Sequence, residues 1–227
     1  MSRIYLVRHG QAGTRQAYDS LSGLGRQQAR LLGQHFAEQG IRFSRAFTGA
    51  LKRQQQTAEE AGAQFAEFPP IEHAPGWNEF DLDHVYRELA PILCEEDEEF
   101  RGHFEAMQAD TQSDRRWTTA DLKIVQAWMK GHPKYQGETW RAFHERISAC
   151  RTGLLSGEDE NIIVFTSATP IGIWAALSLD IDDHRAMRLA GVLYNASYTV
   201  MRLREEQLRL HMFNAVSHLQ PDLRTYR

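Results

Sequence analysis

The chain has 227 residues, of which 42% are hydrophobic and 25% are charged, and its formal net charge is −4. This length can bury a sizeable core, and the composition is ordinary for a globular protein. The negative net charge argues against bulk binding to nucleic acid or to an anionic membrane, so an anion site is expected to be local and built from a few arginines.

Alternating strands and helices are predicted in the first third of the chain. In order, they are a strand at Ser2–Val7, a helix at Leu24–Gln39, a strand at Arg45–Thr48 and a helix at Leu51–Ala63. The first strand is an apolar run, and Gly40 supplies the stop signal of the first helix. Alternation of this kind predicts an α/β fold with a mostly parallel sheet flanked by helices.

The middle of the chain is predicted to be a helical insertion at about residues 82–137. Residues Leu82 to Met129 have a helical pattern, which includes the acidic run 95–99. We interpret that run as the solvated start of a helix rather than a metal site, because acidic residues are favoured in a first helical turn. The polar stretch 110–117 is consistent with a mobile lid and equally with an ordinary loop.

The last third returns to alternating elements. They are a helix at Thr139–Leu155, a central strand at Asn161–Thr166, a helix from Thr169 to about Ser178, and closing strands at Ala196–Leu203 and Gln207–Phe213 with a turn at 204–206. Thr169 is the predicted N-cap of its helix, with Pro170 as the first helical residue. Trp140 and Phe143 share one stripe and are interpreted as core. No linker is visible, so residues 1–227 are expected to form one domain that carries the insertion.

Cysteine usage and hydropathy favour a cytoplasmic protein. Cys94 and Cys150 lie far apart without a CxxC spacing, so a disulfide framework is not expected. The N-terminal residues reach charged side chains before an apolar stretch long enough for a signal peptide. No apolar run approaches the length of a membrane span, and we expect no membrane partner.

The segment Arg8-His9-Gly10 directly follows the first predicted strand. Ligands of open α/β sheets bind outside the carboxyl ends of the strands, and a glycine lets the backbone approach a ligand closely. The arginine fork matches phosphate oxygens, and a histidine can act as a nucleophile or proton carrier. On these residues alone, a surface turn with two polar side chains remains the alternative.

Three further features favour an anion site. Arg53 lies just inside the helix after the second strand, so its guanidinium starts from the same sheet edge as Arg8. Glu79 lies in a loop beside Trp77, and this setting predicts a raised pKa suited to a general acid, although a solvated loop acid is the alternative. Residues 166–170 end the central strand and open a helix, whose free N–H groups can hold an anion.

Several segments in chain order resemble the histidine phosphatase superfamily, in its phosphoglycerate mutase-like branch. Ile4–Gln11 is similar to the LxxVRHG-type N-terminus, and Thr48–Ala58 to the S-x-L-x-R-x-x-x-T-A element, with Gly49 where Ser is usual. Glu79 falls where the family's leaving-group acid is expected. The remaining similar segments are Gly137–Trp140, Asn195–Ser197 and residues 213–219.

One departure from the family pattern concerns the segment after the central strand. The family usually has V-S-H-G-G-P-I, and its His helps to bind the phosphoryl group and stabilise its transfer. This chain has Ser167 or Ala168 at that place, depending on a one-residue shift of the alignment. Losing a charge-assisted hydrogen bond costs about 1.5–3 kcal/mol, or roughly one to two decades of rate. The Ser167 hydroxyl and the helix N–H groups can recover part of this.

The resemblance implies a metal-independent phosphatase that needs no cofactor and acts on a small phosphorylated substrate. His9 attacks phosphorus and forms a phosphohistidine, while Arg8 and Arg53 hold the phosphoryl oxygens. Glu79 protonates the leaving oxygen and then activates water. The remaining predicted substrate contacts are Gln11, Thr14, Ser167 and Ala168.

Three alternatives to hydrolysis remain, and each requires different residues. A phosphomutase is less favoured, because the extended R-H-G-x-S-x-W-N pattern is absent. A phosphate-ligand-binding protein of the same fold, with weak or no turnover, has no need for a carboxylate such as Glu79. A metallohydrolase lacks support, since there is no HExxH and the ten histidines are scattered. The natural substrate stays open, as does the oligomeric state, although members of this family often form homodimers.

Overall fold

A computed structural model of the chain describes residues 2–13, 19–109, 118–154, 160–204 and 207–226. Thr14, the polar stretch 110–117 and most of the predicted turn at 204–206 lie outside the described residues. The chain divides into two compact units, one of Met1–Glu79 with Ile147–Arg227 and the other of Phe80–Arg146. The second unit contains the predicted helical insertion.

The first unit is built on a mixed six-stranded sheet with the order β3-β2-β4-β1-β5-β6. Its strands are β1 (Ser2–Arg8), β2 (Arg45–Thr48), β3 (Ile71–His73), β4 (Asn161–Thr166), β5 (Tyr198–Arg204) and β6 (Gln207–Ala215). The first four strands of that order are parallel, whereas β5 and β6 are antiparallel to their neighbours. The predicted α/β fold with a mostly parallel sheet is therefore confirmed.

Among the described residues, the helices are α1 (Gly23–Glu38), α2 (Lys52–Gly62), α3 (Leu82–Glu96), α4 (Glu98–Ala109), α5 (Thr119–Met129), α6 (Trp140–Ala149), α7 (Ala168–Leu179) and α8 (Asp183–Gly191). Of these, α1 and α2 alternate with β1, β2 and β3, whereas the later helices follow one another in two groups, between β3 and β4 and between β4 and β5. No helix in this part of the chain combines the length and apolarity needed to cross a membrane.

The register of the parallel strands aligns their carboxyl ends. Arg8 at the end of β1 pairs with Thr166 at the end of β4, and Thr48 at the end of β2 pairs with Phe165. The bonds continue one residue beyond the strands, since the His9 amide donates to the Thr166 carbonyl at 2.9 Å. The residues that follow β1, β2 and β4 therefore lie side by side at one edge of the sheet.

Aromatic rings fill the core on the α1 side of the sheet. Tyr5 of β1 contacts Phe36 of α1 edge-on at 5.6 Å between ring centroids, and Tyr198 of β5 contacts Phe36 at 4.9 Å. These rings belong to a buried cluster with Val7 and Phe165. The apolar stripe of α1 thus binds the helix to the strands that present the candidate site.

The second unit has an aromatic core of its own. Phe80 stacks on Trp128 at 4.3 Å between centroids, and Trp140 and Phe143 pack around the same indole ring. The prediction that Trp140 and Phe143 are core residues is confirmed. The acidic run is only partly a helix start, because α3 ends within it at Glu96 and α4 begins at Glu98.

Three details of the predicted elements were wrong. The helix after β4 begins at Ala168 with Ser167 as its N-cap, so Thr169 is not the cap and Pro170 is not the first helical residue. Pro170 is accommodated because the first turn of a helix does not use its own N–H groups. The strand β3 and the helix α8 were not predicted, since they have only 3 and 9 residues.

Candidate active site

The imidazole of His9 is buried, with a residue exposure of 4%. Its Nδ1 lies 2.8 Å from the carbonyl oxygen of Gly10, which can only accept, so Nδ1 carries the proton. Nε2 then holds the lone pair, and it accepts a hydrogen bond from Nε of Arg53 at 3.2 Å. The ring nitrogen with nucleophilic character is thus directed at a guanidinium.

Burial is the largest cause that holds the pKa of His9 well below its ordinary value of 6.5, followed by the charges of Arg53 and Arg8. The Gly10 carbonyl acts in the opposite direction and is outweighed. Both arginines disfavour a second positive charge on the ring. The imidazole is therefore neutral at neutral pH, which is the form that can attack phosphorus.

Arg53 is placed by the first turn of α2 and is itself buried. Besides the bond to His9, its guanidinium donates to Oδ1 of Asp19 at 3.1 Å. Asp19 was not predicted as a site residue, because no motif surrounds it. The structure brings Arg53 and His9 together as the sequence predicted.

Arg8 is also buried, but two of its bonds go to the C-terminal part of the chain. Its guanidinium donates to the carbonyl of Leu193 and, at 2.9 Å, to the carbonyl of Tyr226. Its charge still lowers the pKa of the adjacent imidazole. The charge of Arg8 thus acts on the His9 ring, while the carbonyl groups of Leu193 and Tyr226 orient the Arg8 guanidinium.

Glu79 reaches the start of α7. Its Oε2 accepts the amide hydrogen of Thr169 at 3.1 Å. The predicted cluster of free N–H groups at this helix is therefore reduced, because Glu79 uses that amide and Pro170 has none. The amide of Ala168, the first residue of the helix, has no acceptor within its own helix.

Ser167 and Gln54 form a buried pair at the same edge. The side-chain amide of Gln54 donates to Oγ of Ser167 at 2.8 Å, and both side chains are almost fully buried. Gln54 was not predicted as a site residue. Gly49, where the family usually has Ser, was the one sequence feature that pointed to Gln54, because the Gln54 side chain occupies the space that a Cβ at position 49 would need.

Gln11 and Gly10 have structural partners. The Gln11 side-chain oxygen accepts from the Ser22 hydroxyl at 2.8 Å, and its backbone amide donates to Gln28 at 2.8 Å. A Cβ on Gly10 would lie 2.4 Å from the carbonyl oxygen of Gly25. The glycine is therefore required by the packing of α1 against this loop, a reason that the sequence did not suggest.

No cluster of three or more His, Cys, Asp or Glu side chains with metal-binding geometry occurs in the described ranges. The positive charge beside His9 is supplied by Arg53 and Arg8 instead. A buried neutral imidazole next to cationic forks at a sheet edge is suited to a tetrahedral anion.

The chain belongs to branch 1 of the histidine phosphatase superfamily, whose family model matches residues 4–216. Solved structures with the same fold include a mutant phosphoserine phosphatase from Entamoeba histolytica in complex with phosphoserine. That structure is 15% identical, with a TM-score of 0.63, and the alignment covers 97% of this chain and 100% of the other.

Two further structures are similar over nearly their whole length. A mycobacterial glucosyl-3-phosphoglycerate phosphatase in complex with VO3 is 19% identical with a TM-score of 0.63, covering 95% of this chain and 100% of the other. A phosphoglycerate mutase from Bacillus anthracis is 16% identical with a TM-score of 0.63, covering 96% and 94%. No curated protein matches the chain significantly.

Proposed function

We propose that the protein is a metal-independent phosphatase that hydrolyses a small phosphate monoester through a phosphohistidine on His9. The observation that carries this proposal is the neutral imidazole whose Nε2 lone pair meets the Arg53 guanidinium at 3.2 Å. Membership of the histidine phosphatase superfamily supports it. The names of the similar structures, which include two phosphatases of small phosphate esters, agree with this substrate class.

In the first step, Nε2 of His9 attacks phosphorus in line with the leaving oxygen. The N–P bond forms as the P–O bond breaks, and the carboxylic acid of Glu79 gives its proton to the leaving oxygen. Arg53 turns its donors from Nε2 to the phosphoryl oxygens, and Arg8 contributes a second charge beside them. Charge that develops on the equatorial oxygens is stabilised without a metal ion.

In the second step, water hydrolyses the phosphohistidine. Glu79, now a carboxylate, accepts a proton from the water as its oxygen attacks phosphorus. The N–P bond breaks, the lone pair returns to Nε2, and inorganic phosphate is released. The bond between Glu79 and the Thr169 amide keeps the carboxylate at the start of α7 during both steps.

The remaining predicted residues take supporting roles in this proposal. Ser167 and the Ala168 amide donate hydrogen bonds to the phosphoryl group. Gln11 and Thr14 lie at the rim of the site.

A phosphate-ligand-binding protein with little turnover is the main rival, because Ser167 or Ala168 stands where the family usually has an imidazole. Rapid-quench experiments with 32P-labelled substrate separate the two functions. We expect acid-labile phosphate on the wild-type protein and none on His9→Gln. The matched control, His218→Gln, changes another buried imidazole and should keep the wild-type amplitude. Wild-type turnover in His9→Gln, or binding without any phosphoenzyme in the wild type, contradicts the proposal.

A further inference from the structure

Ser167 occupies the N-cap position of α7 without capping the helix. A serine at this position normally accepts a hydrogen bond from the backbone N–H of the second or third helical residue. Here the side chain makes no such bond, and the N–H of the second residue, Thr169, goes to Glu79 at 3.1 Å. Because Glu79 caps the helix, the Ser167 hydroxyl is released for another use.

Gln54 determines how that hydroxyl is used. Its Nε2 lies 2.8 Å from Ser167 Oγ and 3.3 Å from the carbonyl oxygen of Trp77, and its Oε1 lies 3.4 Å from the amide nitrogen of Leu51. A carbonyl only accepts and a backbone amide only donates, so these two contacts fix the orientation of the side-chain amide. Gln54 is therefore the donor, and the Ser167 oxygen is the acceptor.

The proton of the Ser167 hydroxyl is consequently directed away from Gln54. Within the described ranges, no protein atom accepts it, although the residue is only 1% exposed. The backbone places residue 167 beside the residues that follow β1, since the preceding Thr166 carbonyl accepts the His9 amide hydrogen at 2.9 Å. A phosphoryl oxygen on His9 is an acceptor of the required chemistry.

The glycine at position 49 gives Gln54 the room to do this. A Cβ at Gly49 would lie 2.0 Å from Oε1 of Gln54 and 2.7 Å from Oδ1 of Asn78. Even the smallest side chain at position 49 would therefore displace the Gln54 amide. Positions 49 and 167, which both depart from the family pattern when the alignment is fixed on Pro170-Ile171, contact Gln54 and belong to one packing arrangement.

We propose that Gln54 is a positioning residue that turns the Ser167 hydroxyl into a phosphoryl hydrogen-bond donor, in place of an imidazole. The inference rests on the proposed function, because the acceptor is the phosphoryl group transferred to His9. Gln54 itself touches neither substrate nor reacting atoms. The neutral hydroxyl does not titrate near neutral pH, so this donor works in a single protonation state.

A double-mutant cycle on the rate constant of phosphoenzyme formation tests the inference. Ser167→Ala should slow formation by about ten- to hundredfold, since it removes a hydrogen bond to a charged group. Gln54→Met keeps the side-chain volume and should slow it by about tenfold. Because Gln54 acts through Ser167, the double variant should be no slower than Ser167→Ala alone. If the rate effects of the two single substitutions multiply in the double variant, the inference is overturned.

Further variants guard against a purely structural explanation. Gln54→Glu is isosteric but presents acceptors to Ser167, so it should slow the reaction like Gln54→Met. Gly49→Ala should also slow the reaction, because its Cβ would displace the Gln54 amide. The control Gln55→Met changes the next residue of α2, which bonds the Ala50 carbonyl at 3.2 Å, and should keep the wild-type rate.

The outcomes separate the two proposals. If the wild type forms a phosphohistidine but Gln54→Met and Gln54→Glu form it at the wild-type rate, the role of Gln54 is wrong and the proposed function stands. If the wild type forms none, both are wrong. Thermal unfolding of each variant shows whether a slower rate reflects a loss of folded protein. If Gln54→Met unfolds at a lower temperature than the wild type, Gln54→Glu takes its place in the cycle.

Discussion

The ring nitrogens of His9 and His218 are both shielded from solvent, although His218 as a residue is only partly buried, and the surroundings of the two rings differ. Burial is the largest cause that lowers the pKa of each, to about 4 for His218 and well below 6.5 for His9. His218 packs against the rings of His35 and Tyr198, at 5.8 and 6.0 Å between centroids. The Nε2 lone pair of His9 instead accepts a hydrogen bond from the Arg53 guanidinium. Burial favours the neutral form of both rings, whereas the arginines beside His9 suit that ring to the proposed attack on an anion.

Removing the cation that distinguishes His9 is expected to have the largest effect. In Arg53→Met, phosphoenzyme formation should fall by about 10²–10³-fold, because a donor to the transition-state charge is lost. The pKa of His9 should rise, since one of the charges that lowers it is gone. The rate should then begin to decline at a higher pH on the acid side. Single-turnover rates between pH 4.5 and 8 measure both effects.

Arg26→Met is the matched control for that variant. Arg26 lies on α1, and its guanidinium contacts Glu60 of α2 at 2.7 Å with a side-chain exposure of 38%. A surface ion pair of this kind contributes little, so rate and pH profile should stay unchanged. An unshifted acid limb in Arg53→Met would show that the arginine does not control the charge state of the nucleophile.

Glu79→Gln should have the next largest effect, and its size should depend on the leaving group. With an alkyl phosphate, whose leaving oxygen needs a proton, phosphoenzyme formation should fall by about 10²-fold or more. With 4-nitrophenyl phosphate, whose leaving group needs none, formation should stay fast and produce a burst of nitrophenolate before slow hydrolysis. Stopped-flow absorbance measures the burst.

Glu72→Gln on the exposed strand β3 is the control and should behave like the wild type. Equal losses for Glu79→Gln with both leaving groups would indicate that Glu79 holds the start of α7 in place rather than supplying a proton. The hydrogen bond from the Thr169 amide to Glu79 would account for that structural role, and the comparison of leaving groups distinguishes it from proton transfer.

The sheet was predictable because its strands carry strong local signals. Arg45–Thr48 and Asn161–Thr166 agree with the prediction at both ends, and the second is a clear apolar run. The start of α7 was misplaced because Pro170 suggested a first helical residue, while the actual cap depends on Glu79, which is distant in sequence. A local sequence pattern cannot reveal a helix cap that a residue of another loop supplies.

The candidate site was predictable to the extent that its residues directly follow strands. His9 and Ser167 directly follow β1 and β4, and Arg53 lies in the first turn of the helix that follows β2, so the parallel sheet brings all three to one edge. Gln54 and Asp19 were missed, because an amide in a run of glutamines and a lone loop acid carry no pattern of their own. Their partners are fixed by tertiary packing.

The smallest expected effect concerns the stability that His218 contributes. Its folded-state pKa of about 4 lies below the ordinary 6.5, so the unfolded chain binds a proton first as the pH falls. Stability is therefore lost between pH 6.5 and 4, by about 1.5 kcal/mol from pH 6.5 to 5 for this one group. Urea unfolding at pH 7, 6 and 5 should show a shallower pH dependence in His218→Gln than in the wild type, while single-turnover phosphoenzyme formation at pH 7 stays unchanged. An unaltered pH dependence of unfolding would mean that the pKa of His218 is the same in the folded and unfolded protein, and a changed rate would mean that the two imidazoles are not separate in function.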